Sequence, residues 1–128
     1  MKRVEAIIAP YTLDAVRDSL VARGVEGLSV CEVREGGFEA VRMHRYRGTA
    51  YEVALHPKLK LELVVCDEDA MATAYAIVDA ARTGRASGGY VTISPVEDAI
   101  RIRTGEHGPA TIHGPVASLV ETRWAAQS

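Results

Sequence analysis

The sequence predicts an α+β fold built from two β-α-β units, and three observations point to it. Strand-like apolar runs and helical apolar periods alternate in the order β-α-β-β-α-β along the 128 residues. Residues 35–57, between the second and third strands, follow neither period. A hydrophobic fraction of 48%, with one Trp and one Phe, is typical of a single domain with a small aliphatic core.

The first unit comprises a strand, a helix and a second strand. Residues 4–9 form an apolar strand, and Thr12 caps the helix that follows. Gly24 ends that helix, and residues 27–34 form the second strand. Apolar residues at helical spacing predict the buried face of the helix: Leu13, Val16, Leu20 and Val21.

The second unit begins with residues 58–65, in which apolar residues alternate with charged ones. A second helix starts at Asp67 or Glu68 and ends before Gly84, and residues 90–94 form the fourth strand. Residues 98–104 alternate again and predict one more strand segment. The residues expected on the buried face of the second helix are Met71, Ala74, Tyr75, Val78 and Ala81.

This order of elements is that of the ferredoxin-like split βαβ arrangement. Two helices should cover one face of an antiparallel sheet, and the other face must be buried, bind a ligand or contact a second subunit. Residues 35–57 are too long for a simple connection, so we expect an irregular, functional loop there. Residues 109–128 form a C-terminal extension rich in Gly, Pro and Ala.

Charge and composition argue against several classes of function. The net charge of −2 gives no electrostatic reason to bind nucleic acid or an anionic membrane. No apolar stretch is long enough to span a bilayer, and the N-terminus lacks signal-peptide anatomy. Cys31 and Cys66 lie far apart in the chain and indicate reduced thiols in a cytoplasm.

Two arginines are the first candidates for a binding site. On a strand, Arg101 and Arg103 would face the same side and present positive charge to phosphate oxygens, although a solvated strand face is the commoner interpretation. The glycine-rich residues 83–89 offer backbone N–H groups to an anion, or simply connect helix to strand. Lys58 can pair with a carboxylate or phosphate, or lie on an ordinary exposed strand face.

Residues of the long loop offer two further hypotheses. Tyr51 is accessible to a modifying enzyme or a partner, or packs the loop against the body. His44 and His56 could bind a metal ion across the loop, which would make the protein a metal-binding ferredoxin-like trimer. Solvated histidines are the more frequent case, and no histidine lies at zinc-ligand spacing from another histidine or a cysteine.

Four sequence blocks occur in a fixed order along the chain. They are residues 46–51 (YRGTAY), 57–65 (PKLKLELVV), 80–84 (AARTG) and 95–106 (PVEDAIRIRTGE). Together they resemble the PII nitrogen-regulatory family, and the resemblance extends from Met1 to about Gly108. The first block resembles the loop motif of that family and the second its third strand.

The resemblance implies a homotrimeric signal-transduction regulator, not an enzyme, with ATP or ADP bound in the clefts between subunits. A mobile loop, residues 35–57, would control a transporter or an enzyme of nitrogen and carbon metabolism, in the cytoplasm or at a membrane through a recruiting transporter. Arg47 would contact the partner, and Tyr51 matches a tyrosine that is uridylylated in some relatives. The residues implied around the nucleotide are Ser29, Gly37, Lys58, Glu62, Val64, Gly88, Gly89, Arg101 and Arg103.

The co-effector is a separate question, because the sequence departs from the family at the loop entry. In many relatives 2-oxoglutarate binds together with Mg-ATP, and Lys58 would pair with that acid here. Glu39 replaces a glutamine that helps hold Mg²⁺ and 2-oxoglutarate; its carboxylate can ligate Mg²⁺ but repels a dicarboxylate. The alternatives are a divergent sensor of ADP or AMP with another small anion such as bicarbonate, and a slow nucleotide hydrolase.

Overall fold

A computed structural model of the protein describes residues 1–40, 51–82 and 89–113. Its elements follow the predicted order, and the α+β, ferredoxin-like arrangement is confirmed. The strands are β1 (Lys2–Ile8), β2 (Ser29–Ala40), β3 (Tyr51–Val65) and β4 (Tyr90–Pro95). The helices are α1 (Leu13–Ala22), α2 (Ala70–Ala81) and the single turn α3 (Ala110–His113).

The four strands form one antiparallel sheet in the order β2-β3-β1-β4. The short strand β1 occupies the centre because it pairs along its length with both β3 and β4. Val4, for example, lies opposite Leu63 of β3 and Ile93 of β4. Directly opposed residues share a face of the sheet, so these three side chains point to the same side.

The hydrophobic core lies between that face of the sheet and the two long helices. Val4, Ala6 and Ile8 of β1 are buried there because alternate residues of a strand face the same way. The core residues that meet them from β3 and the helices are Leu61, Leu63, Val65, Val16, Leu20, Ala70, Ala74 and Ile77. Burying one such leucine or isoleucine side chain contributes about 1.5–3 kcal/mol.

Helix α1 begins and ends at the predicted residues. Thr12 occupies the N-cap position, but its hydroxyl donates to the carbonyl of Ala9 (2.7 Å) instead of accepting from the helix. Gly24 adopts φ 85° directly after the helix, a conformation that favours glycine. The amide of Val25 then donates to the Leu20 carbonyl at 3.0 Å, which directs the chain towards β2.

The predicted buried faces of the helices were partly wrong. Val21 of α1 and Met71 and Tyr75 of α2 are 63%, 56% and 60% exposed. The inward residues of α2 are Ala70, Thr73, Ala74 and Ile77. The alanines of α2 lie on several of its faces, so the apolar period alone does not fix the orientation of the helix. Packing against β1, β4 and α1 determines which face is buried.

The prediction of an irregular segment from residue 35 to residue 57 was also wrong where the structure describes it. Strand β2 continues to Ala40 and β3 begins at Tyr51, so Glu35 pairs with His56 and Ala40 with Tyr51. Backbone pairing between two strands does not need an apolar period, which is why the sequence pattern missed it. Residues 41–50 lie outside the described ranges.

The predicted strand segment at residues 98–104 is instead a looped turn. Ile100 forms one isolated bridge with His107, and residues 102–104 form a turn. Ile102 is fully exposed, so its alternation with Arg101 and Arg103 reflects no buried sheet face. Arg101 and Arg103 therefore do not project side by side from a strand.

The sheet face away from the helices carries paired charges. Lys60 Nζ lies 3.0 Å from Glu5 Oε1, and Arg3 Nε lies 3.7 Å from Glu62 Oε1. The hydrogen bond to Glu5, assisted by the charge of its carboxylate, raises the pKa of Lys60. Among the described residues, no helix is long and apolar enough to cross a membrane.

Candidate functional site

A cleft of about 590 Å³ opens at the end of the sheet where β3 leads into α2. One wall is the connection between α1 and β2, residues 23–27, and the floor is the end of β3, residues 64–66. Asp69 and Thr73 contribute from α2 and the turn before it. Residues 99–101 and two residues of α3 close the opposite side, so the cleft combines apolar, acidic and cationic groups.

Arg101 is one of two arginines that line this cleft, the other being Arg23, and hydrogen bonds tie it to α3. Its Nη2 atom donates to the carbonyl oxygen of Thr111 at 3.0 Å and to that of Ala110 at 3.4 Å. These carbonyls belong to α3, the helical turn that ends the described residues. The guanidinium satisfies them and is held at the cleft wall.

The loop that carries Arg101 is closed at its base by Asp98. The Asp98 Oδ1 atom accepts from the amides of Ala99 (2.9 Å) and Gly108 (3.0 Å), and Oδ2 lies 3.3 Å from His107 Nδ1. Gly108 also donates to the Ala99 carbonyl at 3.0 Å. Residues 98–108 are thus joined end to end, although none of them lies in a regular strand.

The loop also has internal hydrogen bonds. The amide of Arg101 donates to the Glu106 carbonyl at 2.7 Å, and the amide of Gly105 donates to the Arg101 carbonyl at 2.8 Å. Gly105 has φ 76°, a left-handed conformation that permits the tight return. These contacts fix the backbone of Arg101 and leave Arg103 exposed on the outer turn.

The structure brings some of the predicted site residues together. Val64 and Arg101 line the same cleft. Glu62 lies on the same strand face as Val64, two residues away, and pairs in register with Ser29 at the start of β2. Val64, Arg101, Glu62 and Ser29 therefore lie at or beside one end of the sheet.

Other predicted residues lie apart from the cleft. Lys58 is in β3 opposite Val33 and is 8% exposed, contrary to the alternative that it occupies an open strand face. Gly37 pairs with Ala54, and Glu39 pairs with Glu52, farther along the same two strands. The last pair of that ladder contains Tyr51. Arg47, Gly88 and His44 lie outside the described residues.

Gly89 has a structural reason to be glycine. A Cβ atom at this position would lie only 1.8 Å from the carbonyl oxygen of Ile7. The close approach allows the chain to enter β4, whose first residue, Tyr90, pairs with Ile7. The described part of the glycine-rich loop thus approaches β1, and its use as an anion cradle stays a prediction.

The sequence analysis missed the cleft residues contributed by the α1–β2 connection and by Cys66, Asp69 and Thr73. Burial raises the pKa of the Cys66 thiol, and the acidic residues after it act in the same direction. The positive-φ glycine at position 24, next to a second glycine at 27, was the available signal for a sharp connection. In the described ranges, no group of three histidine, cysteine or acidic residues is arranged to hold a metal ion.

Comparison with known proteins places this arrangement in a family. The family model described as Nitrogen regulatory protein P-II matches residues 1–106. The chain belongs to the P-II nitrogen regulatory protein family. The predicted family resemblance, which extended from Met1 to about Gly108, is therefore confirmed.

The match extends over nearly the whole length of individual P-II proteins. The chain is 51% identical to the nitrogen regulatory protein P-II of Cereibacter sphaeroides over 108 residues, which are 84% of this chain and 96% of the relative. It is 49% identical to that of Nostoc punctiforme over 106 residues, or 83% and 95% of the two chains. The protein of Pasteurella multocida is 44% identical over 112 residues, or 88% of this chain and all of the relative.

Proposed function

We propose that the protein is a homotrimeric signal-transduction regulator that binds ATP or ADP and acts through residues 35–57 on a transporter or a metabolic enzyme. Residues 1–108 would form the sensor body, and residues 109–128 its C-terminal extension. The observation that carries the proposal is the shared cleft of Val64 and Arg101 in a chain of the P-II family. A guanidinium beside an apolar wall suits a phosphorylated nucleoside.

The nucleotide site would combine residues from the end of β3 and from the opposite wall of the cleft. Arg101 would contact phosphate oxygens, and Arg103 would reach them from the exposed turn. The concave apolar wall at Val64 would take the base, as is usual for small-molecule sites. The remaining residues proposed near the ligand are Ser29, Gly37, Lys58, Glu62, Gly88 and Gly89.

Isothermal titration calorimetry of the full chain with ADP and with Mg-ATP tests this proposal. Arg101→Gln should weaken ADP binding about tenfold or more, since a hydrogen bond to a charged group is worth roughly 1.5–3 kcal/mol. Arg17→Gln is the matched control, because Arg17 is an exposed arginine of α1 paired with Asp14 and Asp18. Lack of heat with either nucleotide would refute the nucleotide site.

The trimer would use the sheet face that the helices leave uncovered. In the described residues this face carries the Glu5–Lys60 and Arg3–Glu62 pairs, which satisfy their charges within one chain. Light scattering coupled to size-exclusion chromatography should give about 41 kDa, three times the 13.8 kDa chain. A mass near that of one or two chains would refute the trimer.

A second candidate function differs from the first in its co-effector. Glu39 puts a carboxylate at the loop entry, and like charge repels a dicarboxylate such as 2-oxoglutarate. The divergent alternative, a sensor of ADP or AMP with an anion such as bicarbonate, predicts that 2-oxoglutarate does not alter Mg-ATP binding. Binding of 2-oxoglutarate that requires Mg-ATP would support Mg²⁺ and 2-oxoglutarate as co-effectors, with Lys58 pairing the acid.

The reporter role of residues 35–57 is tested separately from binding. Arg47 would contact the partner, and Tyr51 would be the site of any covalent modification. Arg47→Ala should abolish capture of the partner transporter or enzyme from a cytoplasmic or membrane extract while leaving the ADP titration unchanged. Release of phosphate from ATP by the pure protein would instead favour the hydrolase alternative.

A further inference from the structure

The contact with α3 engages the Nη2 atom of Arg101, one of the two arginines that line the cleft. Both carbonyls, those of Ala110 and Thr111, accept from the same nitrogen, Nη2, at 3.4 and 3.0 Å. That nitrogen carries two hydrogens, so both of its donors are directed at α3. A phosphate that binds the guanidinium end-on requires one of those hydrogens.

The base of α3 is held independently of Arg101. Gly108 donates to Asp98 Oδ1 and to the Ala99 carbonyl, both at 3.0 Å. The Thr111 hydroxyl donates back to the Gly108 carbonyl at 2.8 Å. These bonds fix the loop as far as Gly108. Beyond it, the Arg101 bonds and the packing of Thr111 and Ile112 in the cleft beside β3 hold α3 to the body.

Resting on the proposed function, we propose that α3 competes with the phosphates of the nucleotide for Arg101. In the structure the helical turn covers one side of the cleft, and its carbonyls accept from the guanidinium. An anionic oxygen is a stronger acceptor than a peptide carbonyl, so nucleotide binding displaces α3 from Arg101. Displacement releases α3 from the cleft, with Gly108 as the fixed end.

The coupling is reciprocal. If nucleotide binding weakens the docking of α3, then weakening the docking of α3 must strengthen nucleotide binding by the same factor. The docked turn therefore lowers the apparent affinity in the full chain, and changes to the α3 residues that leave the cleft when the nucleotide binds should alter it. This is the property that separates competition from a structural role.

Hydrogen–deuterium exchange of the full chain measures the release directly. The amide of Ile112 donates to the Pro109 carbonyl at 3.1 Å, and the amide of Thr111 donates to the Gly108 carbonyl at 3.0 Å. With saturating ADP, exchange at these two amides should accelerate about fivefold or more, because opening of the turn exposes them. Exchange that is unchanged or slower while ADP is bound would overturn the competition.

A substitution in α3 tests the reciprocal effect. Ile112→Ser removes an apolar contact from the cleft wall and should tighten ADP binding about three- to tenfold, as expected for a weakened intramolecular competitor. Ile102→Ser is the matched control, since Ile102 is fully exposed in the same loop. Equal affinities in wild type, Ile112→Ser and the control would contradict the proposal.

The two proposals fail in different ways. If neither wild type nor Ile112→Ser binds ADP, the proposed nucleotide function is wrong and the competition falls with it. If ADP binds normally but the amides of Thr111 and Ile112 do not accelerate, the competition alone is wrong. Arg101→Gln, without ligand, should accelerate the same two amides, and slow exchange in that variant would show that the guanidinium does not hold α3.

Discussion

The N-terminal ammonium of Met1 lies 2.7 Å from Oδ1 of Asp67 and joins the start of β1 to the turn that leads into α2. The carbonyl of Met1 also accepts from the amide of Val96 at 3.1 Å, just beyond β4. The Met1 side chain is 4% exposed. The first residue therefore links three elements at the end of the sheet that contains the cleft.

Loss of the Asp67 carboxylate should lower thermal stability. Asp67→Asn keeps the shape of the side chain and removes the charge that pairs with the terminal ammonium. We expect Tm to fall by about 1–3 °C, in keeping with an exposed ion pair. Differential scanning calorimetry of Asp67→Asn beside Asp18→Asn, an exposed surface pair on α1, checks the size of the effect. A larger loss in the Asp18 variant would contradict it.

The same pair predicts a dependence on pH. The hydrogen bond from the terminal ammonium and its charge hold the pKa of Asp67 below its usual value. A lowered pKa in the folded state stabilises the protein above the unfolded value of about 4, and that contribution is lost as the pH falls through the folded value. The Tm difference between wild type and Asp67→Asn should be constant from about pH 5 to 7 and vanish in stronger acid. A difference that grows on acidification would have the wrong sign.

Gly89→Ala should destabilise the sheet. The new Cβ would overlap the Ile7 carbonyl at 1.8 Å, so backbone must move where β4 begins to pair with β1. Such strain is expected to cost about 2–4 kcal/mol of unfolding free energy. Urea denaturation of Gly89→Ala and Gly27→Ala provides the comparison, since a Cβ at Gly27 meets nothing within 4 Å. Equal midpoints would show that β4 accommodates the side chain.

Cys66 should react slowly with thiol reagents. Its thiol is buried and its pKa is raised, chiefly by that burial, so little thiolate is accessible at pH 8. In a Cys31→Ser background, native protein should react about a hundredfold more slowly than protein in denaturing urea. Rapid native reaction, at the rate of the unfolded chain, would place Cys66 outside the core.

Truncation in the core should cost far more than truncation on the helix surface. Ile77 is fully buried between α2 and the sheet, whereas Val21 is 63% exposed. Ile77→Ala should lose about 2–5 kcal/mol of unfolding free energy, and Val21→Ala less than about 0.5 kcal/mol. Urea unfolding of both variants also tests the corrected helix faces, because the sequence pattern placed Val21 on a buried face and did not include Ile77.

The sequence predicted elements whose signal is local. The alternation of leucine with lysine and glutamate defined the core of β3, and Gly24 defined the end of α1 through its positive φ. The orientation of α2 could not be predicted from its own sequence, because its alanines leave several faces equally able to pack. Contact with β1 determines which face is buried. The strand pairing of Glu35 and Ala40 depended on a partner far along the chain.

The candidate site likewise combines a residue that the sequence pointed to with contacts that only the folded chain creates. Arg101 lies in the cleft, and its role at a positive binding site stays a prediction; its neighbours there come from distant turns. The bonds of its guanidinium to α3 could not be read from the alternation of Ile and Arg, which indicated a strand. The hydrogen bond from the Gly108 amide to Asp98 closes this segment into a loop instead of a strand.

Strands β2 and β3, on either side of residues 41–50, extend well beyond the four-stranded part of the sheet. In the described registers β1 stops pairing with β3 at Leu59, so Val33–Ala40 and Tyr51–Lys58 pair only with each other. An isolated pair of strands is marginally stable on its own and twists strongly. This ribbon can therefore open and close as its own thermodynamic unit, with the four-stranded body intact. Its midpoint of unfolding can therefore differ from that of the core.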